Sequence, residues 1–465
     1  MEKQGDKKGE LTQKGQTPMG QFNPLGSVPF GLKELEMRKV AFCTLGCKVN
    51  QYETNAMEQQ FIEKGYKVVS FNDIADIYVI NTCTVTNMSD KKSRQMIRRA
   101  KQLNPKAIVI AVGCYVQVAK NKLEEIKQLD LILGNNEKKE IVKYIEEYKA
   151  KSHFDDVMHQ KEFVDFGTTV HMEKTRAIIK VQDGCDRFCS YCIIPYARGR
   201  VRSRSLESVI TEVEKLAQNG VKEIIVTGIH VASYGKDFKE NIGLIELLEE
   251  LNKIDGIERI RLGSLEPMII TEAFLKRLIK LKKICHHFHL SLQSACNETL
   301  KRMNRKYTIE DFKNIVNLLR NNYNDVILTT DIIVGFPGET DEEFNITYEN
   351  LKQIAFYKMH VFKYSRRDGT KAALMPKQVF PQIQEKRSKI LIELSNKNEK
   401  KYNKELIGCE VKVLFEEQDG NFIKGHTDNY IVIKVEKEDI TKHHNEIRKV
   451  KVERIENNEL IGKIV

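Results

Sequence analysis

The sequence predicts an α/β protein in three parts: an N-terminal doubly wound parallel sheet, a central (β/α)6 partial barrel and a small C-terminal β-barrel. Three observations carry this. Across residues 38–150 short apolar runs alternate with amphipathic stretches, six strand-helix units in series follow, and beyond a long charged helical pattern at 382–404 come short segments of alternating apolar residues. At 465 residues the chain is long enough for about three domains, each with its own core.

The first part reads as strands at 39–45, 67–71, 77–80 and 107–112, with helices at 53–63 and 91–103 between them. Three of these strands end alike, in Leu45-Gly46-Cys47, Asn81-Thr82-Cys83 and Val112-Gly113-Cys114. In a parallel sheet the carboxyl ends of the strands share one edge, where ligands bind, so three thiols from three strands are expected to converge. The plain alternative is that each is a buried thiol, a common place for free Cys. Cys43, inside the first strand, reads as packing, and Cys285, Cys296 and Cys409 as buried or semi-buried structural thiols, since none has a partner at ligand spacing.

The second part opens on an apolar strand at 177–181 that delivers Cys185, Cys189 and Cys192 in a Cys-x3-Cys-x2-Cys run. Thiolates are the preferred ligands of iron-sulfur clusters, and three of them leave one iron of a four-iron cubane open for chemistry. A zinc knuckle or a disulfide with a spare thiol are the alternatives; the next His is as distant as His230, and nothing marks the chain as secreted. Further strands are expected at 223–227, 259–263, 287–292, 326–334 and 359–364, with amphipathic helices between them, and functional groups at their carboxyl ends.

Just past the cysteines, Arg198, Arg200, Arg202 and Arg204 stand at alternate positions. An extended segment would present them on one side as forks for phosphate or carboxylate, an RNA or substrate contact; a solvated loop is the bland reading. Beyond the long helix, strands at 409–415, 421–427, 430–436 and 448–455 suggest the small barrel, a fold that often binds nucleic acid along a strand face.

Composition bounds the rest. With 41% hydrophobic and 30% charged residues the chain is ordinary for a globular protein, and no run has the length of a membrane span. Ten cysteines without a secretory signal point to metal or redox chemistry in the cytoplasm. The net charge of +11 suits an anionic partner such as RNA. Residues 1–36, rich in Lys, Gln, Gly and Pro without periodicity, are expected to be disordered. The expected organisation is therefore 37–150, a linker at 151–170, a core at 171–402 and a tail domain at 403–465.

The Cys185-Cys189-Cys192 run resembles the signature of the radical S-adenosylmethionine (SAM) superfamily. That likeness implies a 4Fe-4S cluster whose open iron binds SAM, with one electron cleaving it to a 5'-deoxyadenosyl radical. It also makes the strand tails candidates for holding SAM: Gly228, where backbone can approach a ligand, with Glu266, Ser291 and Asp331 for its ribose or methionyl part. From residue 37 onward the chain resembles the methylthiotransferase family, which joins three separated cluster cysteines, a radical SAM core and a tRNA-binding TRAM domain. Residues 44–53, 81–86, 113–117, 198–204 and 263–267 resemble its MtaB-type branch, which modifies N6-threonylcarbamoyladenosine in tRNA. The sister branches act on isopentenyladenosine in tRNA or on a ribosomal protein, and carry different residues after the first cluster cysteine. The resemblance implies two 4Fe-4S clusters, one on Cys47, Cys83 and Cys114 and one on Cys185, Cys189 and Cys192, with SAM as methyl donor and radical source. It also implies an electron donor such as flavodoxin or ferredoxin and a methylthio group placed at C2 of the adenine, next to the anticodon. Two other readings remain at this point, a methylthiotransferase acting on another adenosine or a protein, and an RNA-binding protein whose cysteines hold structural metal.

Overall fold

In a computed structural model of the chain, residues 37–147, 152–167 and 175–465 are described. The disorder expected for 1–36 lies outside them, as does part of the expected linker. Residues 38–465 form one compact unit.

Its N-terminal part is a six-stranded sheet, parallel throughout, made of β1 (Lys39–Thr44), β2 (Lys67–Val69), β3 (Ile77–Thr82), β4 (Ile108–Gly113), β5 (Leu131–Leu133) and β6 (Ser152–His153) in the order β2-β1-β3-β4-β5-β6. β3 is buried along its whole length, as a central parallel strand covered on both faces must be. One face packs under the Lys48–Glu63 helix through Val40, Met57 and Phe61; the other lies against the Asn87–Leu103 helix through Ile97 and Ala100. Thr86 caps the latter helix by accepting from the Ser89 amide.

The central part contains β7 (Arg176–Asp183), a two-residue β8 (Arg202–Ser203), β9 (Glu223–Gly228), β10 (Arg259–Leu262), β11 (His287–His289), β12 (Ile327–Val334) and β13 (Lys358–Lys363). They run β10-β9-β7-β8 and β11-β12-β13, and parallel bridges at Ile260 to Ile284 and Leu265 to Leu290 join the two sets. With β8 aside, this is the expected partial barrel of six parallel strands. Its helices close one continuous apolar core around Val213, Leu248, Phe288, Phe312 and Leu351, and the Pro381–Glu405 helix covers β13.

The C-terminal part is a barrel of β14 (Glu410–Asp419), β15 (Phe422–Thr427), β16 (Val432–Glu436), β17 (Ile447–Glu456) and β18 (Glu459–Ile464), paired in the ring β14-β15-β16-β18-β17. Four of these strands are expected from the sequence. The fifth, β18, leaves β17 through Asn457 and Asn458, both at positive φ (48° and 69°), a conformation that Asn tolerates in tight hairpin turns. It then pairs parallel to β16 and closes the ring.

Two buried arginines seat this barrel on the core. Arg259 donates to the carbonyls of His426 and Lys412 at 2.9 and 3.0 Å, and Arg261 to those of Asp428 and Thr427 at 2.8 and 3.2 Å, while the Glu223 carboxylate holds Arg261 from behind at 2.7 Å. Since a guanidinium carries five donors in a fixed fork, it can serve one carboxylate and two carbonyls together.

Candidate functional site

Cys47, Cys83 and Cys114 stand where the parallel sheet predicts, each just past the carboxyl end of β1, β3 or β4. Two glycines make the approach possible. Gly46 and Gly113 both have φ near +102°; a Cβ on Gly46 would come within 2.7 Å of the Cys83 sulfur, and one on Gly113 within 2.6 Å of the Thr82 carbonyl. Burial pushes the Cys83 thiol up to about 11, with Cys114 and Cys47 adding to it, so Cys83 ionises only when a cation compensates.

That cation surplus is built into the wall behind them. Arg198, fully buried, donates from Nε to the Cys114 sulfur at 3.1 Å. Its Nη1 and Nη2 reach the two oxygens of Glu53 at 2.8 and 3.0 Å and its Nη1 reaches Asp183 at 3.1 Å, while Lys138 and Lys180 complete the shell of Glu53 at 2.6 and 2.8 Å. Burial alone would raise the Glu53 carboxyl, but Arg198, Lys138 and Lys180 together hold it well below the usual range. With Arg202 beside Asp183 at 3.8 Å, four cations face two carboxylates, so the network is left with excess positive charge against Cys114. Buried charge requires compensation, and an anionic thiolate-bound group supplies it.

This network corrects the sequence reading of the arginine run. Arg198, Arg202 and Arg204 are buried within the protein and offer nothing to an outside phosphate. Arg198 ends a short helix (Ile194–Arg198), and Gly199 at φ 76° then turns the chain. Arg204 is taken by Glu212 and by Asp165 at 3.1 Å. Arg200 alone is exposed, paired with Asp186 at 3.4 Å and lying over the Phe188 ring.

The second thiol group sits in a loop tied down by the core. The Cys185 amide donates to the Gly199 carbonyl, the Ser190 amide to Met303 and the Cys192 amide to Cys189; Asn304 donates to the Phe188 carbonyl at 3.1 Å. Burial pushes Cys185 up to about 11 and Cys192 to about 12. Arg305, which the sequence reading did not single out, donates to the Cys189 sulfur at 3.3 Å and to the Ser291 carbonyl at 3.0 Å, and lies 3.8 Å from Glu266. Glu266 also accepts from His230 at 2.7 Å and pairs with Arg187 at 3.3 Å. Burial opposes ionisation of Glu266, yet His230, Arg305 and Arg187 bring its carboxyl down to about 2. Arg305 lies in an irregular turn with no local motif, so only the fold reveals it.

Of the four predicted SAM residues, then, Glu266 and Ser291 gather beside this loop. Gly228 is corrected in its reason: its open side is filled by Gln182, whose Oε1 a Cβ would meet at 2.9 Å. Asp331 lies elsewhere, paired with His289 at 3.3 Å on the wall of a cavity of about 960 Å³. That cavity runs between the three parts of the chain, and Cys47 and Lys48 line it together with Tyr430 of the barrel. Among the other thiols, Cys285 and Cys296 are buried and Cys43 half-buried as expected, whereas Cys409 is exposed at the barrel edge, a correction.

A single small ion suits neither trio. Among the described residues, the groups of potential ligands whose atoms lie within 4.8 Å of one another contain no cysteine, whereas sulfurs on one zinc at ~2.3 Å would stand about 3.8 Å apart. A cubane holds its cysteines farther apart, and the three-thiol donor sets of both trios suit it.

Comparison with known proteins agrees with this geometry. Residues 179–351 match the model of the radical SAM superfamily, and residues 39–134 that of a family described as "Uncharacterized protein family UPF0004". The chain is 45% identical over 402 residues, 86% of its length and 97% of the relative's, to the threonylcarbamoyladenosine tRNA methylthiotransferase MtaB of Aquifex aeolicus. It is 41% identical over 85% of its length and 90% of the relative's to the protein of that name in Bacillus subtilis. A tRNA-2-methylthio-N(6)-dimethylallyladenosine synthase of Caldicellulosiruptor saccharolyticus matches at 36%, over 84% of this chain and 85% of that one. Among solved structures, the radical SAM methyltransferase TsrM of Kitasatospora setae superposes with a TM-score of 0.54 at 18% identity, covering 73% of this chain and 77% of that one, a likeness of fold.

Proposed function

The chain belongs to the family of radical SAM tRNA methylthiotransferases, and from that premise we propose that it converts N6-threonylcarbamoyladenosine in tRNA, next to the anticodon, to its 2-methylthio derivative. The observation that carries the reading is the pair of thiol trios: three cysteines from three strand ends backed by surplus buried positive charge, and three more in one core loop. One trio serves a radical SAM enzyme; the second is what sulfur insertion adds.

Two 4Fe-4S clusters and SAM are the cofactors, with Cys47, Cys83 and Cys114 assigned to one cluster and Cys185, Cys189 and Cys192 to the other. When bound, these groups supply the radical that takes hydrogen from C2 of the adenine and the methylthio group that replaces it, chemistry that no acid or base side chain offers at an unactivated C-H bond. The chain's own residues bind, orient and shield. Arg198 neutralises charge on Cys114 and holds it against the Glu53 network. Arg305 does the same for Cys189 while tying the loop to Ser291 and Glu266. Glu266, ionised over the physiological range, is an acceptor for the ammonium of SAM, and Ser291 stands next to it. The cavity between the three parts, lined by Cys47, receives the base once it is splayed out of its loop.

We take 37–150, 171–402 and 403–465 as the three domains. The tRNA engages the tail barrel and the exposed Arg200, and the electron comes from a small carrier such as flavodoxin or ferredoxin. No helix among the described residues is long and apolar enough to cross a membrane, and the reading places the protein in the cytoplasm with its tRNA.

The test is mass spectrometry of nucleosides from tRNA bearing threonylcarbamoyladenosine, after anaerobic incubation with cluster-loaded protein, reductant and SAM. A 2-methylthio derivative of that nucleoside is expected. Formation of 5'-deoxyadenosine without it would keep the radical chemistry and refute the substrate.

A further inference from the structure

The cavity beside Cys47 holds one lysine that pairs with no carboxylate on its wall. Lys48 follows Cys47 at the start of the Lys48–Glu63 helix and exposes its side chain to the cavity. The other lysines on the wall are all paired: Lys358 with Glu399 at 3.0 Å, Lys424 with Glu417 at 2.8 Å, and Lys434 with Asp419 and Glu459, both at 2.8 Å. The remaining wall carboxylate, Asp331, faces His289. Glu223, the core carboxylate that acts on Lys48 through space, is committed to Arg261 and Arg259 at 2.7 and 3.7 Å. The Lys48 side chain makes no ion pair or hydrogen bond among the described residues. Its ammonium lies 5.9 Å from the centre of the Tyr430 ring. Arg261 and Arg176 approach the same ring at 4.7 and 5.7 Å, and His426 stacks on it at 4.9 Å.

A lysine ammonium without a carboxylate partner in a site of this volume is a receptor for an anion small enough to enter with the substrate. If the functional reading above holds, the substituent on N6 carries such an anion, the carboxylate of its threonine, whereas a dimethylallyl substituent carries none. We propose that Lys48 receives the threonylcarbamoyl carboxylate and thereby selects this nucleoside over ones with an uncharged N6 substituent. The position suits this role: Lys48 is one residue from Cys47, which is assigned to a cluster, and it lines the cavity taken above to receive the splayed base.

The experiment compares binding of cluster-loaded protein to three short anticodon stem-loop RNAs, carrying threonylcarbamoyladenosine, its neutral methyl ester, or plain adenosine. The native protein is expected to favour the acid over the ester by about tenfold or more, the factor given by about 1.4 kcal/mol. Lys48→Met is expected to bring that ratio near one, and Lys48→Arg to keep it. Iron content and absorbance confirm that each variant carries its clusters; should Lys48→Met lose them, Lys48→Gln removes the same charge. A Lys48→Met protein that weakens equally toward all three RNAs has lost a phosphate contact, and one that keeps the native ratio has lost nothing relevant; either overturns the assignment while leaving the reaction intact. A native protein that neither prefers the acid nor methylthiolates it overturns the functional reading and the assignment together.

Discussion

Glu53 is the residue on which the junction between the N-terminal sheet and the core depends, and Glu53→Gln tests that. Its carboxylate is 1% exposed and accepts four charged hydrogen bonds of 2.6 to 3.0 Å, from Lys138, Lys180 and twice from Arg198. Gln keeps the shape but turns one acceptor into a donor aimed at a cation, and leaves four buried cations facing Asp183 alone. Removing one partner of a buried ion pair costs about 3–5 kcal/mol, because the stranded charge stays out of water. At roughly 2–4 °C per kcal/mol for a domain of this size, the melting temperature should fall by about 6–20 °C. The assay is thermal unfolding of cluster-free protein followed by far-ultraviolet circular dichroism. Lys180→Met added to Glu53→Gln removes one stranded cation, so the double variant should be less destabilised than the sum of the singles, by roughly 1–3 kcal/mol. A single variant melting within about 2 °C of native, or strictly additive effects, would refute the claim that these charges depend on one another.

Other consequences are open to direct measurement. Cys189→Ala should abolish 5'-deoxyadenosine formation, while Cys83→Ala should keep it and lose the methylthio product; retention of that product in either variant contradicts the ligand assignment. Arg261→Met strands buried Glu223 and frees the Asp428 and Thr427 carbonyls, a loss of about 3–5 kcal/mol that should appear as faster proteolysis between the core and the tail barrel. An unchanged digestion pattern would mean that the barrel is held otherwise. Burial, helped by Asp155, pushes the Glu137 carboxyl up to about 7. The unfolded chain therefore ionises first, and stability should decline as pH rises from about 4.5 to 7. Glu137→Gln should remove that decline, and parallel melting curves against pH for the two proteins would show that Glu137 titrates normally.

What could be read from the sequence was what lies close along the chain. Cys47, Cys83 and Cys114 each follow an apolar strand, and parallel pairing alone makes such positions converge, so no knowledge of distant contacts was needed. The loop of Cys185 to Cys192 is local for the same reason. The arginine run failed because alternation says nothing about burial. The partners that draw Arg198 inward, Glu53 and Asn50, lie some 145 positions away on another part of the fold. Arg305 and Tyr430 were invisible on the same ground: each acts through space, one on Cys189 and one beside Lys48, from a turn with no pattern of its own. The strand β18 does have a signal in Asn457-Asn458 followed by a short apolar stretch, which a reading of hairpin turns finds.

Arg198 and Gly199 bind the two halves of the site to each other. The Arg198 side chain donates to Cys114 of the first trio, and the carbonyl of the next residue accepts from the amide of Cys185 in the second. Asp183, just before that loop, takes the same guanidinium and also accepts from the Gly184 amide at 2.8 Å. A two-centre reaction requires its centres at a fixed separation, since the substrate base has to meet both in one pose. Here that separation is set by two consecutive residues pinned by charge on one side and by backbone on the other. The burial of Arg198, which the sequence offers to RNA or substrate, thus has a use: with Gly199 it ties the Cys114 side of the site to the Cys185 loop.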